Sequence, residues 1–323
     1  MIVVTGANGF IGSAMVWELN QRGLSDIICV DSISLQDRPH LLKSKKYTRF
    51  LLKDQLWDFL NQPQNISKIT WIIHMGANSS TTEINWESLY ENNTFYTQRI
   101  FEWCALHKKD LIYASSAATY GAGELGYDDE TDFSQLTPLN LYGKSKAIFD
   151  FWTTKQNQTP THWYGLKFFN VYGPNEYHKG PMASLVYKAY NQVLETSKLK
   201  LFKSYLKQYN DGEQMRDFVY VKDVTGWMYE LMTKKPKSGI YNMGFGKART
   251  WVDLAKSVFS SMGKVLKIEF IEMPENIKNQ YQYYTEAKMT KWLNQGLSKP
   301  SWSIEDGVKD YIENYLSKKD QYL

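Results

Sequence analysis

Cysteine is scarce: the 323 residues contain two, so no disulfide framework can be drawn. Cys29 lies inside the apolar run Ile27-Ile28-Cys29-Val30 and Cys104 in a helical stretch around Trp103, and both read as buried free thiols. No apolar run approaches the roughly 18 residues of a membrane span. The chain opens on a strand and not on a basic, then apolar, leader. The expected address is therefore a reducing cytoplasm, with no membrane partner. Net charge is low, 38 − 34 = +4, and comes from lysines scattered along the chain. A nucleic-acid footprint needs clustered charge. The short clusters Lys43 to Lys46 and Lys234 to Lys237 read as solvated faces, so no nucleic-acid partner is expected. What is present, 43% hydrophobic and 15% aromatic residues, suffices for one large domain or two.

Ile2 to Thr5 is a β-branched run that breaks into Gly6-Ala7-Asn8-Gly9-Phe10-Ile11-Gly12 and continues as an amphipathic stretch from Ser13 to Arg22. That is strand, tight turn and helix. The three glycines let the backbone turn sharply and approach a pyrophosphate, while the helix start supplies unpaired N–H donors. Asp31 closes a second buried strand, where a carboxylate can bind a ribose hydroxyl. The spacing Gly-x-x-Gly-x-x-Gly resembles that of the short-chain dehydrogenase/reductase superfamily. Asp31 alone favours NAD because it repels a 2′-phosphate. Ser32 could donate to such a phosphate, however, and Arg38, Lys43, Lys45 or Lys46 could neutralise it. Tyr47 to Leu52, Thr70 to Met75 and Asp110 to Ala114 read as further strands, and helical periodicity is clearest from Glu87 to His107. Alternating strand and helix predict the α/β class, a Rossmann-type doubly wound parallel sheet with ligands beyond the carboxyl ends at Gly6, Gly76 and Ser116.

Ser115-Ser116 closes one strand, and Tyr142-Gly143-Lys144-Ser145-Lys146 opens a later helix. Residues four apart share a helix face, so the Tyr142 phenol and the Lys146 ammonium can point into one cleft. Bringing a phenol from a pKa near 10 to neutrality takes about 3 units, roughly 4 kcal/mol, which a lysine and an oxidised nicotinamide together can supply. Such a tyrosine removes a proton from an alcohol while the carbon gives up hydride, with Ser116 hydrogen-bonded to the same oxygen. No metal site is expected. Thr161 to Phe169 reads as a strand entering Asn170-Val171-Tyr172-Gly173-Pro174, and Arg216-Asp217-Phe218-Val219-Tyr220 follows. These blocks resemble the extended branch of the superfamily, which modifies nucleotide-linked sugars. Arg216, one of six arginines, suits a diphosphate; the bland alternative is an exposed pair with Asp217. Where sugar 4,6-dehydratases carry Asp-Glu, this chain has Ala117-Ala118, which argues against dehydration.

The resemblance narrows at His178-Lys179-Gly180-Pro181-Met182-Ala183-Ser184. With Gly76-Ala77-Asn78-Ser79-Ser80-Thr81-Thr82-Glu83, Asn92-Asn93, Tyr113 to Gly121 and Gln280-Tyr281-Gln282-Tyr283-Tyr284-Thr285, the chain is similar to the ADP-L-glycero-D-manno-heptose 6-epimerases over nearly its whole length. The resemblance implies Tyr142 as catalytic tyrosine, Lys146 as cofactor-binding lysine and Lys179 as a second acid/base group; for Lys179 the bland alternative is a phosphate contact. To the cofactor it assigns Phe10, Ile11, Asp31, Ser32, Lys53, Asn92 and Val171 beside Gly6, Gly9, Gly12, Met75, Gly76, Ala77, Asn78, Ser79, Lys146 and Lys179. At substrate positions fall Ser116, Asn170, Arg216 and Tyr281, with Pro181, Lys188, Phe202 and Ser204. The family prefers NADP, which is placed first, with NAD second. Pro181 stands where the family has serine, Lys188 where it has histidine, and Phe202-Lys203-Ser204-Tyr205 replaces Phe-Glu-Gly-Ser. The implied function is inversion of carbon 6 of an ADP-linked heptose, a step toward the lipopolysaccharide core. The alternatives are a UDP-hexose 4-epimerase type of enzyme and a non-catalytic NAD(P)-binding sensor. The domains expected are 1–169 plus 217–243 for the dinucleotide and 170–216 plus 244–323 for the substrate, in a homo-oligomer.

Overall fold

A computed structural model describes residues 1–278 and 281–323; Gln280 of the closing tyrosine-rich string lies outside them. In chain order the strands are β1 (Ile2–Thr5), β2 (Ile27–Asp31), β3 (Arg49–Leu52), β4 (Trp71–His74), β5 (Asp110–Ser116), β6 (Trp163–Phe168), β7 (Asn170–Tyr172), β8 (Leu199–Phe202), β9 (Met215–Tyr220), β10 (Gly239–Met243), β11 (Ala248–Thr250) and β12 (Ile268–Ile271). Seven form the main sheet in the order β10-β6-β5-β4-β1-β2-β3, all parallel. The order reverses between β1 and β4, Val3 pairing with both Ile28 and Ile72. A crevice opens there beyond the strand ends, where ligands bind in doubly wound sheets.

Strand residues point alternately to the two faces, and this sorts the core. Ile2, Val4, Ile27 and Cys29 pack with Met15, Val16 and Leu19 of helix Phe10–Gln21 and with Trp227, Met228 and Leu231 of helix Val221–Lys234. Val3, Ile28, Val30 and Ile72 face the other way, against Ile100, Phe101 and Cys104 of helix Tyr96–Leu106 and Phe149 of helix Leu141–Thr153. With both faces covered, β1, β2 and β4 are buried throughout. A second core gathers Val186, Val193, Leu254, Val258 and Tyr311 beside a small sheet β11-β9-β7, in which Asn170 pairs with Phe218, and a parallel pair β8-β12.

Details differ from the sequence reading. The first helix begins at Phe10, three residues before Ser13, because Gly9 takes the extended cap conformation. The third strand starts at Arg49, two residues after Tyr47. Cys29 and Cys104 are buried free thiols as expected. Lys234, Lys235 and Lys237 are exposed, whereas Lys45 is buried because its ammonium donates to the Leu323 carbonyl at 2.6 Å. Among the described residues no helix is long and apolar enough to cross a membrane.

Candidate active site

The phosphate loop is built of backbone. Gly6 sits at φ +64°, and a Cβ there would stand 2.6 Å from the Gly76 amide nitrogen, so only glycine lets the ends of β1 and β4 touch. A Cβ on Gly12 would come 2.0 Å from the Gly6 carbonyl oxygen. Gly9 caps helix Phe10–Gln21 without a side-chain hydrogen bond, and the first turn has no acid. Its first N–H groups are thus left for an anion.

These glycines border a cavity of about 540 Å³. Phe10, Ile11, Asp31, Ser32, Lys53, Met75, Gly76, Ala77, Asn78, Ser79, Asn92 and Lys179 also line it. The Asp31 carboxylate accepts from the amides of Asn8 at 2.9 Å and Ile33 at 3.0 Å. Lys53 donates to Asn92 Oδ1 at 2.7 Å and lies 4.4 Å from the Tyr96 ring centroid. Of the four cations offered for a 2′-phosphate, only Arg38 lines this cavity, its guanidinium donating to the Asn8 carbonyl at 2.5 Å; Lys43, Lys45 and Lys46 border a separate depression.

A second cavity of about 650 Å³ shares Phe10, Ile11, Met75, Ala77, Ser79, Lys179 and Met182 with the first. Ser116, Tyr142, Lys146, Asn170, Val171, Lys188, Phe202 and Tyr281 line it. Lys146 and Val171 thus border this cavity and not the first. Asn140 caps the helix carrying Tyr142 and Lys146, accepting from the Gly143 amide. Lys146 is buried, donates to the Ala114 carbonyl at 2.9 Å and has its pKa pushed down to about 8 by burial, against the pull of Asp150. The expected lowering of the Tyr142 phenol is not what the protein alone gives. Burial holds it above the ordinary value, and the hydrogen bond with Ser116 works in the opposite direction. Lys179 leaves a turn at Gly180, φ +51°, and its ammonium lies 5.5 Å from the Phe10 ring centroid. Burial lowers its pKa, while the Glu176 charge raises it.

Three expected substrate residues stand outside this lining. Pro181 is exposed and its carbonyl accepts from Lys188 at 2.6 Å, so two of the family departures form one contact. The Ser204 amide donates to Asp211. Arg216 is buried and not paired with Asp217, whose carboxylate is taken by the amides of Phe245, Gly246 and Ala287. The Arg216 guanidinium lies 5.1 Å from the Tyr281 ring centroid and 5.6 Å from that of Trp251, and donates to the Met215 carbonyl. It thus packs against two of the rings that line the cavity. Sequence reasoning did not single out Lys200, Trp251 or Gln282, which line the cavity. Glu176 beneath Lys179 was missed too, although an acid three residues before that lysine was a usable signal. Asn93, read only as part of the Asn92-Asn93 pair, was given no role. It lies in a π turn and ties the Asn78 backbone to Ser145, between Tyr142 and Lys146.

The model of the NAD dependent epimerase/dehydratase family matches residues 2–244. The chain is 48% identical to an ADP-L-glycero-D-manno-heptose-6-epimerase of Fusobacterium nucleatum over 332 residues, all of both chains. With one from Nitratidesulfovibrio vulgaris strain Hildenborough it shares 44% over 324 residues, again all of both. The crystal structure of the Helicobacter pylori ADP-L-glycero-D-manno-heptose-6-epimerase superposes with a TM-score of 0.78 at 27% identity, covering 97% of this chain and 95% of that one. The chain belongs to the NAD dependent epimerase/dehydratase family, alongside relatives that carry the heptose 6-epimerase name.

Proposed function

We propose that the protein inverts carbon 6 of an ADP-linked glycero-manno-heptose by oxidation to a transient ketone and reduction on the other face. The observation that carries this reading is the charge of the second cavity. Four lysines, Lys146, Lys179, Lys188 and Lys200, line it beside Tyr142, and among the described residues no carboxylate does. An anionic nucleotide sugar suits such a wall. Elimination of water, which needs an acid beside the tyrosine, does not, since Ala117 and Ala118 occupy that wall.

The dinucleotide fits the uncapped helix start, the glycine turn and the Asp31 carboxylate with both oxygens oriented by backbone amides. When bound, the nicotinamide supplies reversible hydride acceptance, with no net redox. Tyr142 takes the proton of the carbon 6 hydroxyl, and Ser116 holds that oxygen. Lys179, from a different element, carries the proton for the other orientation of the same carbon; burial, which favours its neutral form, suits it to that exchange. Asn170, Phe202 and Tyr281 hold the nucleotide sugar, with Lys188 and Lys200 toward its phosphates and Arg216 supporting Tyr281 from behind. Residues 1–169 with 217–243 serve the dinucleotide and the remaining segments the sugar nucleotide. Arg38, beside Ser32 in the first cavity, favours NADP over NAD.

Purified protein is expected to convert ADP-D-glycero-D-manno-heptose to its L-glycero form without added nicotinamide, and denaturation is expected to release NADP. Turnover of a UDP-hexose at carbon 4, with both heptose epimers untouched, would replace this reading by the 4-epimerase one.

A further inference from the structure

Tyr142, Lys146 and Asp150 follow at i, i+4 and i+8 and so lie on one face of helix Leu141–Thr153. Asp150 is fully buried and accepts from three side chains on two strands: Ser115 at 2.6 Å and Tyr113 at 3.3 Å on β5, and Lys167 at 2.6 Å on β6. Lys167 is equally buried and donates also to Thr119 at 2.6 Å in the turn after β5. Ser115 precedes Ser116, and Lys167 lies three residues before Asn170. One carboxylate therefore joins the helix that carries Tyr142 and Lys146 to the strand that ends at Ser116 and to the strand that leads into Asn170. A buried ion pair is not needed for stability, since well-packed apolar residues commonly do as well. Its placement calls for another role.

We propose that the Asp150–Lys167 pair is a positioning device for the site, fixing the Tyr142/Lys146 helix on the two strand ends and setting the charge that the catalytic pair experiences. The inference rests on the epimerase reading given above. The carboxylate favours the Lys146 ammonium and disfavours the Tyr142 phenolate, since a negative charge attracts the one and repels the other. Other ionisable groups facing this cluster are Tyr120 from the turn after β5, Asp129 acting on Lys167, and His74 of β4, which burial first, and then the Lys146 and Lys53 charges, keep neutral. None of them contacts the Asp150 carboxylate directly, so it is the group to change.

D150N alone strands the Lys167 ammonium in the core and is expected to unfold much of the protein. The informative variant is D150N/K167M, which removes both charges, with D150E/K167R as the conservative counterpart. In the double-neutral protein the two lost charges act in opposite directions, and because Asp150 and not Lys167 is the charge acting on Lys146 and Tyr142, both limbs of the pH profile of kcat should move to lower pH with KM little changed. The tyrosinate absorbance titration of substrate-free protein, read as the difference from the same protein carrying Y142F, should move the same way. D150E/K167R should return toward the parent profile. A folded D150N/K167M protein whose kcat profile and tyrosinate titration match the parent would overturn the inference and leave the pair a merely structural one. Failure of the parent to epimerise the heptose would instead strike the epimerase reading, and the tyrosinate titration, which needs no substrate, would still test the pair.

Discussion

The two cavities share a border from Phe10 and Ile11 to Lys179 and Met182 but are made of different material. The first cavity, which we assign to the dinucleotide, turns on main chain at its glycine loop: Gly6 and Gly12 are packed so closely that a single Cβ collides with the neighbouring backbone, and Asp31 is oriented by two amides. The substrate side is side chain, four lysines and a set of aromatic rings drawn from β5 through β9 and from residues beyond Trp251. Main chain tolerates no change of sequence that fills its space, while a wall of side chains can exchange one polar contact for another. Of the departures that the resemblance implies, Lys188 lines the second cavity, while Pro181 and Ser204 stand outside it, and none falls in the glycine turn.

Gly12→Val breaks this contrast most severely. With a Cβ 2.0 Å from the Gly6 carbonyl oxygen, the turn cannot close, and the purified variant should carry no nicotinamide dinucleotide by mass spectrometry. Retention of the cofactor would show that the glycine loop is not what holds it. On the substrate side K179A should lower epimerisation by about 10²-fold at unchanged cofactor content, the loss of one proton carrier; a loss under threefold would favour a single-base mechanism. Returning to the first cavity, R38A should reduce the preference for NADP over NAD roughly tenfold or more, the worth of a charge-assisted contact, measured by competitive reconstitution. The smallest effect concerns pH. Burial brings the Lys146 ammonium down to about 8; its charge is lost as pH rises through that value, so kcat should decline on the alkaline side. Full activity persisting above pH 9 would contradict that assignment.

The same contrast governs what the sequence discloses. Local motifs carry the dinucleotide side: Gly6 to Gly12, Asp31 and Met75 to Ser79 are short strings at strand ends, and the doubly wound sheet follows from alternating buried strands and helices. Tyr142 and Lys146 are legible because helical spacing alone puts them on one face. Arg216 was harder to read, because its neighbour Asp217 suggests a surface pair, whereas the backbone amides of two distant loops claim that carboxylate. Lys200 and Trp251 carry no local signal at all, and Gln282 is visible only as a member of the tyrosine-rich string. They reach the cavity only because β8, helix Trp251–Ser261 and the segment after residue 280 converge there, and tertiary convergence leaves no periodicity in the chain. Lys45 was misread for a similar reason, its partner being the carbonyl of Leu323.

The central claim is that one carbinol carbon is oxidised and re-reduced without exchange with water. ADP-heptose carrying deuterium at carbon 6, incubated with the protein in ordinary water and analysed by mass spectrometry and NMR, tests it most directly. The inverted product is expected to keep its deuterium at carbon 6. Replacement of that deuterium by solvent hydrogen in step with inversion would contradict it.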